Sequence, residues 1–166
     1  RFLEWVAENP TGVISLPTGK TPEYFIEWVR RILTQWDDSE CRQMRERHGL
    51  MLKDKPVLSE LQFVQIDEFY PISPKQHNSF YNYVQKYYVE GFGLDASKGL
   101  FINSDEIVLA DGRHYSDVFS DGVIDLGLRY REPKSREEEL KQRSIFMIDD
   151  WCADYEQRIR EKGGIG

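Results

Sequence analysis

Two short stretches carry residue types and spacings that could do chemistry. The first is Leu16-Pro17-Thr18-Gly19-Lys20-Thr21-Pro22. It follows the apolar run Gly12-Val13-Ile14-Ser15-Leu16 and precedes Phe25, Trp28, Val29, Ile32, Leu33 and Trp36 at helical spacing. A strand, a glycine turn and a helix start together make an anion site. The first N–H groups of a helix have no internal partner, and the dipole is positive at that end. Gly19 allows a backbone that turns N–H groups toward a phosphate. The hydroxyls of Thr18 and Thr21 and the amine of Lys20 can add donors. An ordinary βα turn with a capped helix is the plainer alternative.

Gly19-Lys20-Thr21 also invites a nucleotide reading. A triphosphate loop needs a glycine five positions before the Gly of its Gly-Lys pair. Ile14 stands there, inside the strand, and the loop is too short to wrap a triphosphate.

The second stretch is Ile66-Asp67-Glu68-Phe69, at the end of the apolar run Leu61 to Ile66. Ligands of open α/β sheets bind outside the carboxyl ends of the strands. A carboxylate placed there could shuttle a proton on a carbon next to a carbonyl. Strand neighbours point to opposite faces, so at most one of the pair should face a pocket directly. The alternative is that one acid caps a loop or helix and the other is solvated. His77, in Gln76-His77-Asn78-Ser79, could touch a substrate, although a surface loop suits it better.

The elements that must position these groups follow from the pattern. Phe2 to Ala7 reads as a helix, stopped by Asn9-Pro10-Thr11-Gly12. Gly12 to Leu16 and Leu61 to Ile66 read as buried strands, and Leu100 to Ile102 as a third. Thr21 is the expected N-cap of the helix after the loop, with Pro22 in its first position and an end near Asp37-Asp38. Residues 39 to 60 suggest a short helix and a surface connection. Ser79 should cap a helix to about Glu90, with Phe80, Tyr83, Val84 and Tyr87 as a core-facing stripe. A last helix is expected from Asp149 to Lys162, acids first and bases last. Residues 106–147 read as an insertion with an exposed, charged tip from Glu132 to Glu139. Strands alternating with helices predict an α/β fold, a Rossmann-like open, mostly parallel sheet flanked by helices.

Bulk properties narrow the function classes. The net charge of −7 disfavours a nucleic-acid partner. No apolar run reaches membrane-spanning length and no signal peptide is visible, so no membrane partner is expected. Cys41 and Cys152 lack metal-ligand spacing, which predicts no metal and a reducing, cytoplasmic setting. The start at Arg1-Phe2 and the end at Gly163-Gly164-Ile165-Gly166 suggest one domain, 1–166, cut at both ends from a longer chain.

These segments together resemble the glucosamine-6-phosphate deaminase/isomerase family, which also contains the 6-phosphogluconolactonases. Its loop usually reads Leu-Pro-Thr-Gly-Gly-Thr-Pro, from which this chain departs only at Lys20. Ile66-Asp67-Glu68-Phe69 is similar to the Met-Asp-Glu-Tyr of family deaminases. His77-Asn78-Ser79-Phe80 is similar to their His…Ser-Tyr stretch, and Tyr155 to Arg160 to the segment before their third functional strand. The resemblance covers about residues 12–105 and 148–166. It implies phosphate binding by Thr18, Gly19, Lys20 and Thr21, with weaker substrate contacts at His77 and Ser79. It implies Asp67 as the acid–base between C1 and C2 of an opened sugar, with Glu68 supporting the site. No metal or organic cofactor is implied, a small sugar phosphate is the partner, and a homo-oligomer stays open. The family's Asp-Gly-His-Ile-Ala-Phe-Asn-Glu segment is not in this sequence. Lactonases tend to place Arg where Phe69 stands, which favours the deaminase, and a non-catalytic sugar-phosphate binder is the remaining class.

Overall fold

The computed structural model describes residues 1–164. The expectation for Gly163 to Gly166 therefore falls partly outside the described residues. Three strands form one parallel sheet: β1 (Val13–Leu16), β2 (Gln62–Gln65) and β3 (Gly99–Leu100), in the order β1-β2-β3. Val13 pairs with Gln62 and Leu16 with Gln65, while Phe63 and Val64 pair with Gly99 and Leu100. Helices α1 (Phe2–Glu8), α2 (Glu23–Thr34) and α3 (Ser39–Arg47) precede β2 in the chain. Between β2 and β3 runs a helical stretch made of α4 (Phe80–Val84), a π-helical turn over Gln85–Val89, and α5 (Glu90–Phe92). After β3 come short 3-10 turns, α6 (Tyr115–Val118) and the long α7 (Arg136–Glu161). The sheet-and-helix class expected from the pattern is the one found.

Both faces of the sheet are covered, as all-parallel sheets require. Ile14, Leu16 and Phe63 face one way and pack with Val6 of α1, Ile26 and Val29 of α2, and Val84, Tyr88 and Phe92. Val13, Val64 and Leu100 face the other way, against Tyr155 and Trp151 of α7. Gly99 is needed for the short β3. A Cβ there would stand 2.5 Å from the Phe63 ring, which makes an edge contact with Phe101. A separate cluster of Ile107, Leu109, Val118, Phe119, Leu128 and Ile145 packs on the first half of α7.

Several boundaries differ from expectation. Pro22 occupies the cap position of α2, without a side-chain bond, and Thr21 lies in the preceding turn. The helix also ends at Thr34 instead of Asp37-Asp38. Arg45 draws the chain inward there: its guanidinium sits 3.5 Å over the Trp36 ring and donates to the Trp36 carbonyl. The larger correction concerns the last helix: residues 132–139 are mostly exposed, as expected of the tip, but the helix begins within them. Ser135 accepts from the Glu138 N–H and starts α7 well ahead of Asp149. Leu140, Ser144, Ile148, Trp151, Tyr155 and Ile159 then recur at three- and four-residue steps, one face of a helix. Glu138 is not idle either. The Arg131 guanidinium, with the Lys134 N–H, holds its carboxyl down at about 2.

Tyr155 ties α7 to the sheet. Its hydroxyl lies 2.7 Å from the Gln65 carbonyl oxygen and 2.9 Å from that of Leu100, so one proton is shared across the ends of β2 and β3. Burial pushes this hydroxyl well above the ordinary tyrosine range. Tyr155→Phe should lower stability by about 1–2 kcal/mol, since two buried carbonyls lose their donor. A lower urea midpoint with an unchanged slope would register that loss.

Candidate functional site

The register of the sheet brings the two predicted stretches together. Leu16 and Gln65 are paired across β1 and β2, so Pro17-Thr18 and Ile66-Asp67 leave the sheet side by side. Neighbouring strands lie about 4.8 Å apart. The phosphate-loop candidate and the acidic candidate thus share the carboxyl edge of the sheet.

In the loop, Gly19 has φ of +81°, a conformation in which a side chain would be strained. Among the described residues, the backbone N–H groups of Thr18, Gly19, Lys20 and Thr21 have no hydrogen-bond partner. The side chains of Lys20 and Thr21 are exposed, and Thr18 is half-buried. The loop's carbonyls are engaged instead. The Tyr88 hydroxyl donates to the Pro17 carbonyl at 2.7 Å, and the Tyr83 hydroxyl donates to the Gly19 carbonyl at 2.9 Å. Burial raises both hydroxyls above the ordinary tyrosine value.

The acidic pair divides sharply. Glu68 Oε1 accepts from the N–H groups of Phe69 (2.9 Å) and Phe80 (3.1 Å). Its Oε2 accepts from the Ser79 hydroxyl and the Tyr81 N–H, each at 2.8 Å. Glu68 therefore binds the positive start of the helix that begins at Phe80. Ser79 is fully buried and also accepts from the Asn82 N–H as N-cap. Asp67 is exposed, and its carboxylate has no hydrogen bond or ion pair among the described residues. This is the alternative expected of the pair: one acid caps a helix and the other is solvated. The strand stops at Gln65, and both acids line a cavity of about 380 Å³ with Ser104, Cys152 and Glu156. Pro17 and Thr21 line a different, apolar cavity of about 730 Å³ with Phe2, Phe25 and Phe92.

Asp67 is positioned through its main chain. The Gln65 side chain, fully buried, donates from Nε2 to the Asp67 carbonyl and accepts at Oε1 from the Ile102 N–H. The amide side chain thereby continues, beyond the last ladder bond, what the strands no longer supply. His77 is exposed in the turn before Ser79 and lines neither of these cavities. Sequence reasoning missed Gln65, Tyr83, Tyr88 and Tyr155 as parts of the site's frame. Gln65 carried a signal, a polar residue inside an apolar run. The tyrosines looked like ordinary core.

No family model matches the chain, and no curated protein matches it. Among solved structures it is similar to one described as a monomeric glucosamine-6-phosphate deaminase, a missing link of the NagB superfamily. The TM-score is 0.53 at 16% identity, covering 99% of this chain and 44% of that one. The likeness is one of fold, and the chain spans less than half the length of that structure. Among the described residues, no helix is long and apolar enough to cross a membrane.

Proposed function

We propose that Thr18–Thr21 hold the phosphate of a sugar phosphate and that Asp67 moves a proton between adjacent carbons of the opened sugar. The observation that carries this reading is the pairing of four unpartnered N–H groups with one unpartnered carboxylate at adjoining strand ends. Both sets lie at the surface, where a ligand can reach them without displacing any bond within the fold. The specific reaction proposed is conversion of glucosamine 6-phosphate to fructose 6-phosphate with release of ammonia. The likeness to a deaminase of that substrate supports it. On this reading Glu68 and Ser79 build the frame, and the segment 106–147 is an inserted unit with its own small core. Both cysteines are free, which supports a cytoplasmic setting.

The full-length protein supplied with glucosamine 6-phosphate should release ammonia and fructose 6-phosphate in equal amounts. The solvent exposure of Asp67 favours one second reading, a sugar-phosphate binder without turnover, since catalytic bases usually sit where water is excluded. Binding of glucosamine 6-phosphate with no ammonia would select that reading over the first.

A further inference from the structure

The geometry points to Tyr83 and Tyr88 as positioning residues that aim the Thr18 and Lys20 N–H groups at a bound phosphate. This rests on the reading of Thr18–Thr21 as the phosphate site. The peptide unit is planar and trans, so a carbonyl and the following N–H point in opposite directions. Tyr88 holds the Pro17 carbonyl toward the helical stretch 80–92, which turns the Thr18 N–H away from it. Tyr83 holds the Gly19 carbonyl toward the same stretch, which turns the Lys20 N–H away as well. Two donors two residues apart are thereby sent to one side of the loop, and both lack a partner among the described residues.

The helix is built to reach both carbonyls. Tyr83 and Tyr88 are five residues apart, and on a regular α-helix they would be rotated about 140° from each other. The π-helical turn over Gln85–Val89, with its i to i+5 bonding, reduces that rotation. The two rings end with centroids 6.3 Å apart and both hydroxyls on the loop. An extra residue in a helix costs regular bonding, and here it places a second hydroxyl under Pro17. Tyr87, whose ring contacts Tyr83 at 4.5 Å, makes no hydroxyl bond among the described residues and serves as an internal control.

The test uses inorganic phosphate as the probe, with calorimetry and with spectra of protein carrying ¹⁵N-threonine and ¹⁵N-lysine. In the unsubstituted protein, phosphate should move the Thr18 and Lys20 amide signals. Tyr83→Phe and Tyr88→Phe should each weaken phosphate about fivefold and shift the same two amides before ligand is added. Melting temperature should fall by about 2–4 °C in each, for the loss of one hydroxyl bond, and Tyr87→Phe should alter neither affinity nor amides. Wild-type affinity in both Phe variants would overturn the inference while leaving the phosphate site standing. If phosphate moves none of the Thr18, Lys20 and Thr21 amides in the unsubstituted protein, the site reading itself falls and the inference falls with it. The two failures are told apart by that first titration.

Discussion

Replacing Asp67 with asparagine is expected to lower turnover of glucosamine 6-phosphate by about 10³-fold, within the range a positioned acid–base group contributes. The substitution keeps size and shape and removes only the ability to take up and return the proton. Sugar-phosphate affinity should stay within about twofold, because the binding donors lie on the neighbouring strand end. Stability should change by no more than about 0.5 kcal/mol, since the exposed carboxylate has no partner in the fold to lose. Comparing kcat, KM and the urea midpoint of the two proteins checks all three statements. A loss of affinity equal to the loss of turnover would mean that Asp67 holds the sugar and moves no proton.

Glu68→Ala should do the opposite: fold stability falls first, and function follows. Four donors converge on this carboxylate, three of them backbone N–H groups. Hydrogen bonds to a charged group are worth more than neutral ones, and removing the acceptor leaves several partly buried donors unsatisfied. The expected cost is about 3 kcal/mol, read from the urea midpoint. Glu68→Gln should recover only part of it, because an amide offers one acceptor oxygen where the carboxylate offers two. Phosphate affinity should fall in Glu68→Ala as well. The helix that loses its anchor is the one whose tyrosines hold the Pro17 and Gly19 carbonyls. Ammonia release lost in Glu68→Ala at full stability would place this carboxylate in the chemistry and refute its role as a frame.

These two acids show where residue pattern is sufficient and where it is not. Their place at the end of a strand followed from the apolar run Leu61 to Ile66 alone. The alternation rule then allowed at most one of them to face a pocket directly, and the two carboxylates do part: Glu68 turns to the helix start at Phe80 and Asp67 is exposed. The strand ends at Gln65, and the chain beyond it is steered by a side-chain amide and a helix start. The long α7 is a second instance. Acids and bases dominate 132–147, and their charge obscured the apolar face from Leu140 to Ile159 that the packed helix displays. That face is recognisable once the second cluster, around Phe119 and Leu128, is known to need a cover.

What residue order determined by itself is local and periodic. It set the apolar strands, the Gly19 turn, the Ser79 cap and the α/β alternation, because each depends on dihedral preference or on spacing within a few residues. It also excluded a triphosphate loop, through Ile14. Only the tertiary structure decided which groups remain free to meet a ligand. Glu68 and Asp67 are chemically alike and adjacent. One is spent on a helix start more than ten residues away, and the other is left open. The Pro17 and Gly19 carbonyls of the loop are held by hydroxyls more than sixty residues along the chain. Hydrogen-bond satisfaction is a property of the whole packed chain, so the distinction between frame and site becomes visible only after the chain has folded.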